Sequence, residues 1–139
     1  MEKRQINPWT WQERFGFAQA WRVDGAQSIV FAAGQTGVSA DGEVLAVGDL
    51  EGQTRLAFEN LRTVLQDAGA SFDDVVKVTL YLTDISRIRD AARVRDEFID
   101  TARPPASTAI GVAALALPDL MIEVDAIAVI DDSPSTPEL

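Results

Sequence analysis

The chain has 139 residues, 47% of them hydrophobic and 24% charged, which predicts one globular domain with an apolar core. It contains no histidine and no cysteine, and this excludes imidazole bases, thiol nucleophiles, Cys/His zinc sites and disulfides. The formal net charge of −10 argues against a nucleic-acid partner, because phosphate binding depends on lysine and arginine.

Neither a membrane segment nor a secretion signal is predicted. The apolar run at residues 112–117 is far shorter than the ~18 residues that a membrane helix needs, and the N-terminus has no apolar run resembling a signal peptide. We therefore expect a cytoplasmic protein without a membrane partner. We also expect no metal and no cofactor.

The first predicted elements are an irregular lead-in and a β-hairpin. Residues 1–13 contain two tryptophans, whose large rings predict packing against the domain. Residues 17–23 and 28–33 are typical of strands, and Asp24-Gly25 between them is a turn dipeptide that accepts positive φ. We expect these two strands to pair with each other.

A helix and a strand follow. The helix begins after Asp49 and ends before Gly69, because the apolar residues between them recur at helical spacing. Residues 75–82 alternate apolar and polar side chains, which predicts a strand with one buried face. The remaining predicted elements are a helix at residues 84–101 and strands at residues 107–113 and 121–130.

The order ββαβαββ predicts an α+β fold: a single two-layer domain over residues 1–130, with two helices on one face of a mixed sheet. Residues 131–139 are rich in proline, serine and acidic residues, which predicts a flexible acidic tail. The last strand brings apolar and acidic side chains to the uncovered face, as a subunit interface with a polar site would. These side chains are Met121, Glu123, Asp125, Ile127 and Val129.

Five segments carry motifs in a recognisable order: residues 33–35 (AGQ), 57–70 (AFENLRTVLQDAGA), 73–84 (DDVVKVTLYLTD), 103–108 (RPPAST) and 122–129 (IEVDAIAV). With these segments the chain resembles the RidA/YjgF family of enamine/imine deaminases, historically also called L-PSP endoribonucleases. The resemblance implies a chorismate-mutase-like fold assembled as a homotrimer. It also implies three clefts between neighbouring subunits, each binding a small molecule.

The resemblance also implies site residues. Glu123 matches the family glutamate that positions the attacking water. Gly34 matches the residue whose backbone N–H helps to bind the substrate. The family arginine that binds the substrate carboxylate is missing, since one alignment places Ser107 at its position and another places Ala106 there. Ser107 and Thr108 are candidates for hydroxyl contacts to a substrate.

Apolar residues replace several polar residues of the family cleft. Phe17 stands where tyrosine is common, Ala33 where serine is common, and Ala92 aligns with an asparagine. Trp11 and Phe17 are candidates for an aromatic wall at the mouth of the cleft. Without the arginine, a substrate carboxylate lacks its main partner, so the cleft should favour a neutral or aromatic ligand.

The second helix carries four arginines, and two interpretations stay open. Helical spacing from Asp90 and Glu97 favours surface ion pairs, whereas the alternative is a replacement cation for the cleft. The arginines are Arg87, Arg89, Arg93 and Arg95.

We expect a hydrolytic deaminase that acts on a small neutral or aromatic imine or enamine. The alternative is a non-catalytic homotrimer whose clefts bind a small metabolite, because several usual cleft residues are replaced together. Ribonuclease activity is not expected, since the chain has no histidine to act as a base near neutral pH.

Overall fold

The computed structural model describes residues 1–131, which contain six strands and two α-helices. The strands are β1 (Glu2–Ile6), β2 (Ala20–Asp24), β3 (Ser28–Thr36), β4 (Val75–Leu82), β5 (Ala106–Gly111) and β6 (Ile122–Ile130). The helices are α1 (Leu50–Asp67) and α2 (Ile88–Arg95), with short 3₁₀ helices at Glu13–Phe15, Phe72–Asp74 and Ile85–Arg87.

Four strands form a mixed sheet in the order β3-β6-β4-β5, in which β4 and β5 run parallel and the other pairs antiparallel. Strands β1 and β2 form a separate antiparallel ribbon, which an isolated bridge between Ala18 and Ala106 connects to β5. Helix α1 packs against β3, β6 and α2. The predicted α+β fold with two helices on one face of a mixed sheet is confirmed. Apart from Asp131, the predicted tail at residues 131–139 lies outside the described residues.

Helix α1 begins and ends where the sequence predicts. Asp49 caps it by accepting a 2.9 Å hydrogen bond from the Gly52 N–H, and Gly69 leaves it at a φ of +80°. Its apolar face packs on the alternate side chains of the inner strands, and each large side chain buried there contributes about 1.5–3 kcal/mol. The fully buried members of this core include Phe58, Leu61, Leu65, Val78, Leu80, Leu82, Ile122 and Val124.

The predicted irregular lead-in is wrong over its first residues. Residues 2–6 form β1 and pair with β2, with Lys3 opposite Val23 and Gln5 opposite Trp21. The Met1 ammonium also lies 3.0 Å from Asp131 Oδ2. A strand held by ladder hydrogen bonds and bearing charged side chains has no apolar alternation, so hydropathy gives no sign of it.

The predicted hairpin between the second and third strands is also wrong. Gly25 does turn the chain, at a φ of +73°, but β2 pairs with β1 while β3 pairs with β6. Val30 and Ala32 of β3 pack against the core, because β3 lies beside β6 and against α1. The turn dipeptide reverses the chain direction, whereas burial of the apolar face selects the partner strand.

We call the side of the four-stranded sheet that faces away from the helices the open sheet face. Its apolar members differ in part from the prediction. Val129 is already buried within the chain, and Met121 packs against the core, where its N–H donates to Gln53 Oε1 at 2.8 Å. The most exposed apolar side chains of this face are instead those of Phe31 (73% exposed) and Ile29 (55% exposed), on β3.

Candidate functional site

A β-bulge interrupts the pairing of β3 with β6. Two residues of β3, Ala33 and Gly34, stand opposite one residue of β6, Asp125. Bulges of this kind redirect side chains and are frequent beside active sites. Both Ala33 and Gly34 are exposed, so the bulge presents its backbone at the surface of the sheet.

Glu123 lies directly against Gly34. A Cβ atom on residue 34 would be 2.3 Å from Glu123 Oε1 and 2.7 Å from its Cγ, so any other residue here would force the Glu123 side chain to shift. The φ of Gly34 is not in the positive range, so the glycine serves the close approach of Glu123 and not a turn. Within residues 1–131 the half-buried Glu123 carboxylate has no hydrogen-bond or ion-pair partner.

The second carboxylate of β6 is already engaged. The Tyr81 hydroxyl donates a 2.9 Å hydrogen bond to Asp125 Oδ2, and this bond is the main cause that raises the pKa of Tyr81 above 10.0. Beside them the Lys77 ammonium donates a hydrogen bond to Thr108 Oγ1. Burial lowers the pKa of Lys77, and the negative charge of Asp125 opposes this shift. Asp125 is therefore engaged by Tyr81, whereas the Glu123 carboxylate on the same sheet face has no such partner among residues 1–131.

A cavity of about 930 Å³ lies on the helix side of the sheet, between α2, β5 and the segment that precedes β2. Trp11 contacts Phe15 and Phe17 edge to face, at centroid distances of 6.4 and 5.9 Å. Ser107 of β5 and Ala92 of α2 also line the cavity. Its size and partly aromatic lining suit a small organic ligand.

The site residues predicted from the sequence fall into two groups within one chain. The cavity is lined by Trp11, Phe17 and Ser107, whereas the bulge and the open sheet face carry Ala33, Gly34, Thr108 and Glu123. Ser107 and Thr108 are neighbours in a strand, so their side chains point to opposite faces of the sheet. A single subunit therefore brings together Glu123 and Gly34 but not all seven residues.

Sequence analysis missed several residues of these two surfaces. Lys77 and Tyr81 lie on the polar side of β4, as the alternation of residues 75–82 predicts, but their contact with β6 and β5 depends on a strand order that alternation does not reveal. Phe15 and Arg14 of the cavity lie in a 3₁₀ turn without periodicity. Arg89 and Arg93, by contrast, are among the arginines that the sequence offers as replacement cations; they lie one helical turn apart and both line the cavity.

The described part of the chain offers few other sites. A smaller cavity of about 340 Å³ beside β1 and β2 contains none of the predicted site residues. Residues 1–131 hold no group of three or more Asp or Glu side chains placed to bind a metal ion. None of their helices is long and apolar enough to cross a bilayer.

Comparison with known proteins identifies the family. The sequence profile of the family Endoribonuclease L-PSP matches residues 14–130. A RutC family protein of Pyrococcus abyssi is 36% identical over 112 residues, which are 81% of this chain and 84% of that protein. The chain belongs to the RidA/YjgF family. The resemblance inferred from the motifs is thus confirmed.

Other RidA/YjgF proteins share both sequence and fold with the chain. The putative reactive intermediate deaminase TdcF of Escherichia coli is 35% identical over 104 residues, or 73% of this chain and 79% of TdcF. The crystal structure of YyfB, a Rid-family protein of unknown function from Yersinia pestis, superposes with a TM-score of 0.81 at 38% identity, covering 94% of this chain and all of YyfB. RidA from an Antarctic Psychrobacter superposes with a TM-score of 0.67 at 30% identity, over 81% and 87% of the two chains.

Proposed function

We propose that the protein is a hydrolase of the imine/enamine deaminase type, in which Glu123 positions and deprotonates the attacking water. The observation that carries the proposal is the Glu123 carboxylate, which lies against Gly34 without a hydrogen-bond partner among residues 1–131. The neighbouring Asp125, by contrast, accepts a hydrogen bond from Tyr81. Membership of a family that includes a putative reactive intermediate deaminase supports the same class of reaction.

The reaction needs few groups. Water adds to the imine carbon while Glu123 accepts one of its protons, and the nitrogen receives a proton as the C=N double bond becomes a single bond. The C–N bond of the adduct then breaks, and ammonia leaves as the carbonyl product forms. An enamine enters the same path after protonation at carbon. Gly34 is an exposed residue of the bulge, and we assign its backbone N–H to the oxygen that develops negative charge during the reaction.

We further propose that the active unit is a homotrimer whose cleft joins the two groups of residues from neighbouring subunits. The apolar side chains of Phe31, Ile29 and Ile110 remain exposed on or near the open sheet face of the isolated chain, as expected of a surface that another copy covers. Assembly of this kind would bring the cavity of one subunit to the Glu123 and Gly34 of the next.

The substrate that best suits this cleft carries no carboxylate next to the reacting carbon. Neither Ala106 nor Ser107 can bind a carboxylate as the family arginine does. The edge-to-face rings of Trp11 and Phe17 instead offer apolar stacking surface. We therefore propose a neutral or aromatic imine or enamine, and no RNA substrate, because the chain lacks histidine and carries a net charge of −10.

Ammonia release from a panel of imines and enamines tests the proposal, with Glu123→Gln as the decisive variant. The amide keeps the shape of the side chain but accepts no proton at neutral pH, so turnover should fall ~10²-fold or more while melting temperature and assembly persist. Glu59→Gln serves as the control, because Glu59 is an exposed partner of Arg62 on α1. Full turnover by a folded Glu123→Gln protein would refute the role of Glu123.

The second candidate function is a non-catalytic trimer that binds a small metabolite. The replacement of polar family residues by Phe17, Ala33 and Ala92 supports it, because these side chains supply packing surface but no chemistry. A ligand that raises the melting temperature without any ammonia release by the wild type would favour this function.

A further inference from the structure

The cavity beside α2 has a charge opposite to that of the chain. Four arginines and two carboxylates line it, so the lining residues carry +2 in a protein whose formal net charge is −10, while Glu51 and Asp90 flank one of these arginines from outside the lining. Such a local excess of cations attracts and holds anions. The charged lining residues are Arg14, Arg89, Arg93, Arg95, Glu13 and Asp96.

Three of these arginines already have partners. The almost fully buried Arg95 donates to the Phe15 carbonyl at 3.1 Å and to Asp96 Oδ1 at 3.1 Å. Arg14 lies over the Phe15 ring, 4.7 Å from its centroid. Arg93 lies between two carboxylates of the helix layer, at 3.6 Å from Glu51 Oε1 and 3.7 Å from Asp90 Oδ1.

Arg89 differs from the other three. Arg89 lines the cavity, is exposed, and makes no hydrogen bond, ion pair or ring contact with any residue in the range 1–131. A guanidinium with all its donors available binds a carboxylate through two parallel hydrogen bonds. The interpretation of the second helix as a face of surface ion pairs therefore holds for Arg93 but not for Arg89.

The rest of the cavity suits the body of an aromatic molecule. Trp11 meets Phe17 at an interplanar angle of 77°, which forms an angled aromatic wall. The small side chains of Ala92, Ser107 and Ala109 leave the space for a flat ring. An aromatic group and a negative charge are thus recognised in one cavity by different residues.

We propose that this cavity binds a flat aromatic molecule with an anionic group, which Arg89 holds from helix α2. The inference rests on the proposed function in one respect only, that the bound molecule is the substrate. It narrows the substrate class to aromatic imines or enamines whose acidic group lies away from the reacting carbon. The absence of an arginine at residues 106 and 107 is compatible with such a substrate, because the family arginine binds a carboxylate next to the reacting carbon and not a more distant one.

Binding of 2-naphthoate and its neutral analogue 2-naphthamide, measured by titration calorimetry, tests the inference. The two probes have the same shape and differ in charge, so their ratio of affinities reports the anion contact alone. We expect the wild type to bind 2-naphthoate about tenfold more tightly or better. Arg89→Gln should abolish this preference by weakening 2-naphthoate while leaving 2-naphthamide unchanged.

Arg87→Gln is the matched control, because Arg87 precedes the same helix, pairs with Asp90 and does not line the cavity. It should keep the preference of the wild type. Equal binding of the two probes by the wild type, no binding of either, an unchanged preference in Arg89→Gln, or the same loss in Arg87→Gln would each overturn the inference.

The outcomes separate this inference from the proposed function. Tight 2-naphthoate binding that depends on Arg89, without ammonia release from any imine, supports the anion site and contradicts the hydrolase. Glu123-dependent turnover of neutral imines, without discrimination between the probes, supports the hydrolase and overturns the anion site.

Discussion

A methyl group added at Gly34 should disable Glu123 without unfolding the protein. The Cβ of Gly34→Ala would lie 2.3 Å from Glu123 Oε1, whereas ordinary contacts begin at 3.4 Å. The carboxylate therefore has to move by about 1 Å, a displacement that costs on the order of 10²-fold in rate when it affects a catalytic group. The atoms that the new methyl group meets belong to the Glu123 side chain, so the backbone of the sheet can stay in place.

Stability should respond in a different direction from activity. Because Gly34 does not require a positive φ, alanine reduces the conformational entropy of the unfolded chain and stabilises the fold by about 0.4–1 kcal/mol. We expect the melting temperature of Gly34→Ala to equal or slightly exceed that of the wild type. Ammonia release on the fastest substrate of the panel, with kcat and KM determined separately, should show a loss mainly in kcat.

A double-mutant cycle shows whether the loss acts through Glu123. In the Glu123→Gln background, Gly34→Ala should cost little further activity, because the displaced side chain no longer accepts the proton. Wild-type turnover by Gly34→Ala, or two losses that simply multiply in the double variant, would refute this account of the bulge.

Three further predictions concern assembly, the polar network and the missing arginine. Light scattering on the eluting protein should give a mass of three times 15.1 kDa. Phe31→Glu should yield a monomer, because Phe31 is the most exposed large apolar side chain in the described part of the chain. A Phe31→Glu variant that remains a trimer would contradict this interface. Tyr81 is the one tyrosine of the sequence, so ultraviolet absorbance should report a titration above pH 10.0 that Asp125→Asn returns toward 10.0. Since a raised pKa favours the protonated form, the stability from this hydrogen bond is present below pH 10.0 and is lost as the pH rises through the raised pKa, which urea titrations across that range should show. The wild type should hydrolyse 2-iminopropionate poorly. Ser107→Arg should bind small carboxylates more tightly than the wild type, as measured by titration calorimetry. If only Ala106→Arg gains affinity, residue 106 and not 107 corresponds to the family arginine.

Patterns with a regular period were predictable from the sequence. Val78, Leu80 and Leu82 alternate along β4, and all three are buried in the core as predicted. Asp49 and Gly69 bound α1 as predicted, because capping depends on local chemistry. The family motif also points to Glu123 and Gly34 as site residues, and the structure places these two residues side by side, whereas their role stays a prediction.

Features that depend on partners distant in the sequence were not predictable in the same way. The bulge at Ala33 and Gly34 exists only relative to β6, so the residues of β3 alone give no sign of it. Strand β1 is formed by its pairing with β2 and carries no hydrophobic period. The separation of Ser107 from Thr108 was within reach, since neighbours in any strand face opposite sides, but it needed the strand start to be known within one residue.

Strand β6 divides its side chains between two tasks. Those toward the helices are Ile122, Val124, Ala126 and Ala128, and those toward the open sheet face are Glu123, Asp125 and Ile127. The side chains toward the helices hold the core together, whereas those toward the open sheet face do not contribute to it. A substitution at one of the outward positions can therefore change the open sheet face without removing a side chain from the core.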